Sequence, residues 1–254
     1  MYGSAFCRVY NELGWNVYPE VLAGQLLDYL RARGKEPRRM LDMGCGTGVL
    51  CQKLAEAGME VHGIDLSEHM IALARQRAPE LDFQTADMTE FSALQGLDLI
   101  TCTGDALNHV FEPEDILRVM ANAARMLAPG GLFIFDLLNE REVPGGAPFD
   151  LDYSDTLRAR FETTREAEGI VNLNVRVFEG GAPAFEEHIR ERLHDPGWIR
   201  EALKQSGFRV ERFADRLLDE GPHGATWFVV ARRLWIERGD KLSRSPAQAG
   251  PGVL

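Results

Sequence analysis

The sequence has little cysteine and no cysteine pattern typical of a disulfide framework or a zinc site. Its 254 residues include four cysteines, at positions 7, 45, 51 and 102, and no two of them form a CxxC pair. Hydrophobic residues make up 45% of the chain, enough to build a core without covalent or metal cross-links. We therefore expect four reduced thiols, as is usual inside cells.

Positive charge and long apolar runs are also scarce. Lysine and arginine total 28 against 39 aspartate and glutamate, a net charge of −11. Nucleic acids and anionic membranes attract basic surfaces, so we expect neither as a partner, although a local RNA-binding patch is compatible with this composition. No run approaches the roughly 20 apolar residues of a membrane span, and the first residues lack a secretory pattern. The expected location is cytoplasmic.

Short apolar runs alternate with amphipathic segments over residues 38–137, after a helical segment at 8–33. This alternation predicts βαβ units and a mainly parallel sheet. The predicted strands are 39–43, 60–65, 81–85, 97–102 and 132–136, and the predicted helices are 47–57, 67–77 and 114–127.

The pattern changes after the fifth strand. Polar and apolar residues alternate over 156–161, 170–177 and 185–193, which predicts an antiparallel insertion at 150–195. A helix at 196–205 and strands at 208–213 and 226–231 complete one domain over 1–236. Residues 237–254 are rich in Gly, Pro, Ser and Ala, and we expect a disordered tail there.

A glycine loop follows the first strand, with Gly44, Gly46 and Gly48 before a helix. Such a loop lets the backbone approach a ligand at a helix N-terminus. Asp65 lies 21 residues after Gly44 and ends the second strand, where a carboxylate binds ribose hydroxyls. This combination fits NAD and S-adenosylmethionine alike.

Three details favour S-adenosylmethionine. The spacing is GxGxG, whereas the dinucleotide motif is GxGxxG. Asp42, two residues before Gly44, would repel a pyrophosphate and suits a cationic ammonium and sulfonium. Asp87 follows the third strand and offers an acceptor for an adenine amino group.

Four segments, 42–48, 63–70, 86–88 and 127–131, together resemble the motifs of class I S-adenosylmethionine-dependent methyltransferases. The resemblance implies an α/β fold: a Rossmann-like seven-stranded sheet in the order 3-2-1-4-5-7-6, its last strand antiparallel, with helices on both faces. It also implies S-adenosyl-L-methionine as cofactor, S-adenosyl-L-homocysteine as product, a cofactor-binding core at 38–137 and an N-terminal lid at 1–34.

The resemblance implies a cofactor site in which the glycines line the methionine portion, Asp65 binds the ribose, Met70 packs on adenine and Asp87 meets its amino group. Relatives often carry Tyr-Asp where this chain has Tyr10-Asn11, and this departure weakens any transfer of that aspartate's role to Asn11. The implied cofactor-binding residues are Tyr10, Tyr18, Asp42, Gly44, Cys45, Gly46, Gly48, Asp65, Leu66, Met70, Asp87, Met88 and Thr103.

Candidate catalytic residues follow the fourth strand. Methyl transfer mainly requires positioning, and a base is needed only for a protonated acceptor. His109 is the candidate base or else a structural loop histidine, and Asp105 and Asn108 either hold the acceptor or cap the turn. No carboxylate spacing indicates a metal site.

The insertion resembles that of small-molecule methyltransferases, which include glycine and aminosugar N-methyltransferases. There it forms the acceptor pocket or a homodimer contact. We therefore expect methyl transfer by SN2 displacement to nitrogen or oxygen of a small molecule, with an amine slightly favoured by the acidic composition. The alternatives are an RNA or protein methyltransferase, or a non-catalytic cofactor-binding protein of the same fold.

Overall fold

The computed structural model describes residues 2–141, 143, 147–218 and 226–235. Its helices are α1 (Ser4–Val9), α2 (Val17–Ala32), α3 (Val49–Glu56), α4 (Glu68–Arg77), α5 (Pro113–Met126) and α6 (Pro196–Gln205). Its strands are β1 (Arg39–Met43), β2 (Glu60–Asp65), β3 (Asp82–Thr85), β4 (Leu97–Cys102), β5 (Leu127–Leu138), β6 (Phe149–Asp152), β7 (Leu157–Arg165), β8 (Ile170–Glu179), β9 (Ala182–Arg192), β10 (Phe208–Ala214) and β11 (Thr226–Arg233).

The main sheet has seven strands in the order β3-β2-β1-β4-β5-β11-β10. Strands β1 to β5 pair in parallel, and β11 pairs antiparallel with β5. The predicted order 3-2-1-4-5-7-6 is confirmed: β10 is the predicted sixth strand, and β11 is the predicted seventh. Parallel strands of this kind place their carboxyl ends at one edge, where ligands of open α/β sheets bind.

Alternate residues of the central strands point to opposite faces of the sheet, and helices cover both. On one face Leu41 and Phe133 pack with α5 and α6. On the other face Met40 and Ile134 pack with α2, α3 and α4. This confirms helices on both faces and explains why the central strands read as continuous apolar runs.

Strand β5 begins five residues before its predicted start. Its pairing with β4 shifts register between Leu97 and Leu99, opposite the stretch from Leu127 to Leu132. The Pro129-Gly130-Gly131 segment therefore lies within an irregular strand end, before the residue at which the sequence predicted the strand to begin. Gly130 takes a φ of +83°, which a side chain disfavours.

A second sheet of four antiparallel strands, β6 to β9, follows β5. It confirms the predicted antiparallel insertion, in which β8 and β9 are joined by a turn at Gly180-Gly181. Strand β6 was not predicted, because it is short and exposed along its whole length and so shows no alternation of buried positions. The homodimer contact expected from this sheet stays a prediction.

The N-terminal segment packs against the second sheet. Phe6 and Val9 of α1 and Leu13 share one apolar cluster with Val175 and Ile189 of the sheet. The continuous helix predicted at 8–33 is wrong, because the chain turns between α1 and α2. Gly14 has a φ of +76° there, and its backbone N–H donates to the Asn11 carbonyl over 3.0 Å.

The four cysteines are buried and unpaired. Across the described ranges, no helix is long and apolar enough to cross a membrane. The tail predicted at 237–254 lies outside the described residues.

Candidate functional site

A cavity of about 1020 Å³ lies where the carboxyl ends of the parallel strands face the second sheet. The glycine loop and the segments after β2, β3 and β4 line one part of it. Phe161 and Ile189 of the second sheet and Tyr2, Tyr10 and Trp15 of the N-terminal segment line another. The core, the insertion and the N-terminal segment therefore enclose a single space.

The glycine loop has the backbone conformation that requires glycine. Gly44, Gly46 and Gly48 have φ angles of +73°, +53° and +76°, which are unfavourable for residues with a side chain. A Cβ atom on Gly44 would lie 2.7 Å from the Ala106 Cβ, whereas one on Gly46 would meet nothing within 4 Å. The loop is thus packed at Gly44 and leaves open space at Gly46.

Asp65 connects the end of β2 to the glycine loop. Its carboxylate accepts a hydrogen bond from the Gly46 N–H over 2.9 Å and from the Ser67 N–H over 2.8 Å. Burial raises the pKa of Asp65, and the two backbone donors oppose that shift. Asp65 therefore holds the loop in place, and it also lines the cavity.

Asp42 is a buried carboxyl group beneath the loop, 3% exposed. The Thr101 hydroxyl donates to it over 2.7 Å, and the Cys51 thiol lies 3.4 Å away. Burial raises its pKa to about 7. Asp42 lines the cavity, and a cation bound nearby would favour its charged form.

Most of the cofactor-binding residues predicted from the sequence lie around this cavity. Two do not. Gly48 is the N-cap residue before α3, and a Cβ atom there would lie 3.0 Å from the Ala74 Cβ. Met70 is 1% exposed in the first turn of α4, so it is packed inside the protein. The predicted residues that line the cavity are Tyr10, Tyr18, Asp42, Gly44, Cys45, Gly46, Asp65, Leu66, Asp87, Met88 and Thr103.

His109 lies at the end of the short turn that follows β4 and lines the cavity. Its Nδ1 is 3.3 Å from the Arg190 carbonyl oxygen, and its Nε2 is 3.4 Å from the Tyr2 hydroxyl. Burial lowers the pKa of His109 and so favours the neutral ring. The predicted candidate base is thus in the cavity wall and held by contacts from two other segments.

Asp105 also lines the cavity and has a strained backbone, with a φ of +59°. Its backbone N–H donates to Asp136 Oδ1 over 3.0 Å. Its side-chain Oδ1 is buried and has no hydrogen-bond partner among the residues that the structure describes. Burial and the nearby charges of Asp136 and Glu191 raise its pKa well above the ordinary value.

Asn108 lies outside the cavity lining, although the sequence placed it with the catalytic candidates. Its side-chain amide donates to the Arg192 carbonyl over 2.7 Å and accepts from the Leu138 N–H over 3.1 Å. The residue is fully buried. Both polar groups are used to connect the turn to β5 and β9, so Asn108 has a structural role.

Sequence reasoning gave no role in the cavity to Tyr2 and Glu191, which lie near His109, or to Asp136, which contacts the loop after β4. Tyr2 contacts the His109 ring, and Glu191 of β9 places Oε1 3.9 Å from Nε2. Asp136, at the inner end of β5, accepts hydrogen bonds from the Tyr18 hydroxyl and the Gly104 N–H. The alternation of β9 put Glu191 on the same face as Ile189, but no motif marked it.

Glu191 is 9% exposed, and burial together with the charge of Asp136 raises its pKa to about 7. Its side chain lies on the same face of the second sheet as Ile189, near the charge of Asp136. In the described part of the chain, no three or more His, Cys, Asp or Glu side chains are grouped to hold a metal ion.

Comparison with known proteins agrees with this geometry. A family model described as a methyltransferase domain matches residues 40–131. A protein of Geobacillus sp. (strain WCH70), whose methyltransferase name is provisional, is 32% identical over 239 residues, which cover 89% of this chain and 96% of that protein.

Two further matches carry more specific names. The dTDP-4-amino-2,3,4,6-tetradeoxy-D-glucose N,N-dimethyltransferase of Saccharopolyspora spinosa is 32% identical over 114 residues, 45% of this chain and 46% of that enzyme. The structure of S-adenosylmethionine-bound CalS10, an amino pentose methyltransferase from Micromonospora echinaspora, superposes with a TM-score of 0.73 at 22% identity. It covers 92% of this chain and 98% of CalS10, and at this identity it shows a shared fold.

Proposed function

The chain belongs to the class I S-adenosylmethionine-dependent methyltransferases, and on that premise we propose that it methylates the amine of a small molecule. The observation that carries this proposal is the cavity itself. The chain encloses it with its own N-terminal segment and second sheet. A space of this kind fits a small acceptor better than a nucleic acid or a protein.

The glycine loop fits the cofactor. Gly46 leaves room for a ligand, and Asp42, Asp65 and Asp87 present carboxyl groups toward the same space. These residues would hold the cationic methionine end, the ribose and the adenine, respectively. Leu66, 51% exposed beside Asp65, replaces Met70 as the proposed apolar contact of the adenine.

When bound, S-adenosylmethionine supplies an electrophilic methyl group: the acceptor's lone pair forms the new bond to carbon, and the electrons of the C–S bond stay on sulfur. The protein's part is to position the acceptor and exclude water. The Tyr18 hydroxyl donates to Asp136, which also accepts from Gly104 in the loop after β4. This contact joins the start of α2 to the cavity wall and supports the lid role proposed for the N-terminal segment.

The charged groups in the part of the cavity lined by the turn after β4 and by the second sheet favour an amine over an acidic methyl acceptor. Asp105, Glu112 and Glu191 line it with carboxyl groups, and the Arg190 guanidinium lies 3.4 Å from Glu166. Burial raises the pKa of Asp105 and Glu191, so an acceptor that carries positive charge favours their ionised forms, whereas an anionic acceptor opposes them. Two relatives whose names specify amino-sugar substrates are consistent with that choice.

The proposal is tested by turnover. The purified chain is incubated with S-adenosylmethionine and a panel of amino sugars and other small amines, each paired with the alcohol of the same skeleton. Release of S-adenosylhomocysteine and the mass of the product are measured. We expect methylation of at least one amine. Methylation confined to alcohols, or to RNA or protein added in parallel, would refute the proposal.

A further inference from the structure

The environment of His109 determines which of its ring nitrogens carries the hydrogen. Nδ1 lies 3.3 Å from the carbonyl oxygen of Arg190, which can only accept. In the neutral ring, Nδ1 therefore carries the hydrogen and donates it. Nε2 is left with a lone pair directed toward Tyr2 and Glu191.

A second hydrogen-bond acceptor, the Glu191 carboxyl group, lies near the lone pair of His109 Nε2. Glu191 Oε1 is 3.9 Å from His109 Nε2, and in its ionised form, which a bound cation favours, this carboxyl group has no hydrogen to donate. The Tyr2 hydroxyl, 3.4 Å from Nε2, brings one hydrogen, which an ammonium group displaces from the Nε2 lone pair when it binds there. This part of the cavity has more acceptors than donors.

We infer that His109 Nε2 and Glu191 Oε1 form a two-acceptor site that selects a protonated amine over a hydroxyl as the methyl acceptor. The inference rests on the proposed function and names the residues that decide its substrate class. A primary ammonium group has three N–H bonds and can donate to both atoms at once, whereas a hydroxyl group has one O–H. The carboxylate adds charge-assisted hydrogen bonding, which only the cation receives in full.

The same contact prepares the nucleophile. One N–H bond of the ammonium breaks, its proton forms an O–H bond on Glu191, and the electron pair stays on nitrogen as the lone pair. The neutral amine keeps a hydrogen for His109 Nε2, which holds it in place. After transfer the product is a methylated ammonium, and Glu191 releases its proton to water. The step needs no further reactant.

Binding of simple probes tests the site without knowledge of the natural acceptor. The complex with S-adenosylhomocysteine is titrated calorimetrically with cyclohexylamine and with cyclohexanol, which share a skeleton. We expect the amine to bind at least about tenfold more tightly. Glu191→Gln should weaken the amine by about ten- to a hundredfold while it leaves cyclohexanol and S-adenosylhomocysteine affinities unchanged.

Two further variants complete the experiment. Glu186→Gln makes the same change on β9, at an exposed position paired with Arg176, and should leave all three affinities as they are. Glu191→Asp keeps the charge and should restore part of the preference for the amine. An unchanged ratio of amine to alcohol affinity in Glu191→Gln, or an equal loss of S-adenosylhomocysteine binding, would overturn the inference.

Turnover separates this inference from the proposed function. With an amine that the wild type methylates, Glu191→Gln should raise KM by the same factor as the loss of binding and also lower kcat. If both proteins methylate the amine with equal kcat/KM, the proposed function stands and the two-acceptor site is wrong. If Glu191 governs amine binding but no amine is methylated, the site stands and the proposed function is wrong.

Discussion

The exchange Asp42→Asn should make the ligand-free protein more stable in mild alkali and weaken its cofactor site. Asp42 is 3% exposed, and its hydrogen bonds come from the Thr101 hydroxyl and the Cys51 thiol, both uncharged. Among the described residues no cationic side chain bonds to it, so ionisation of this carboxyl opposes folding in the ligand-free protein. Asparagine has nearly the same shape and never ionises.

The size of the effect follows from the pKa. Burial raises the pKa of Asp42 from 3.8 to about 7 in the folded chain. A raised pKa means that the group's stabilising contribution is complete below its unfolded value and is lost as pH rises through its folded value. Between about pH 5 and about pH 8, this linkage costs the wild type about 2.5 kcal/mol of unfolding free energy.

Urea denaturation at both pH values measures it. The unfolding free energy of Asp42→Asn, relative to wild type, should rise by about 2.5 kcal/mol from the lower to the higher pH. Asp28→Asn, on an exposed turn of α2, is the matched control and should show no such change. Calorimetry should show that Asp42→Asn binds S-adenosylhomocysteine more weakly. Parallel pH profiles for wild type and Asp42→Asn would refute the reasoning.

Three further exchanges test other parts of the site. Asp65→Ala removes the acceptor of two backbone N–H groups and should cost about 2–4 kcal/mol of stability and most of the S-adenosylhomocysteine affinity. Asp65→Asn keeps one acceptor oxygen and should lose less of both. Unchanged affinity of Asp65→Ala in calorimetry would refute the placement of Asp65 in the cofactor site. Gly44→Ala should cost at least about 2 kcal/mol in denaturation, more than Gly14→Ala, because both have positive φ but only Gly44 has a neighbour, Ala106, within 4 Å. Asn108→Ala should lose about 2–4 kcal/mol of stability while the folded protein keeps its kcat, and a large fall in kcat would return Asn108 to the catalytic residues.

The cofactor half of the site was predictable because its signals are local in the sequence. Gly44 and Gly46 need left-handed backbone conformations, Asp65 ends a strand, and Asp42 precedes the loop by two residues. Each of these is a short-range property of strand, turn and helix. The strand order could be inferred only by resemblance, since periodicity does not say which strands are neighbours.

Two predicted site residues, Met70 and Asn108, lie outside the cavity lining for physical reasons. Met70 has the expected spacing from Asp65, but the first turn of α4 directs it into the interior. Asn108 stands beside His109 in the sequence, and the turn Ala106–His109 sends their side chains to different surroundings. In a turn this tight, neighbouring residues face different ways, and the sequence pattern did not show which one faces the cavity.

By itself the sequence determined the alternation of strands and helices, the glycine loop, and the carboxylates that follow successive strands. These depend on backbone preferences and on spacing along the chain. Only the tertiary structure brings Tyr2, His109 and Glu191 together in one part of the cavity wall. They come from the N-terminal segment, the turn after β4 and the second sheet, respectively. Their roles depend on burial and on which donor or acceptor each one faces. Those properties arise from packing between distant segments, which no local pattern encodes.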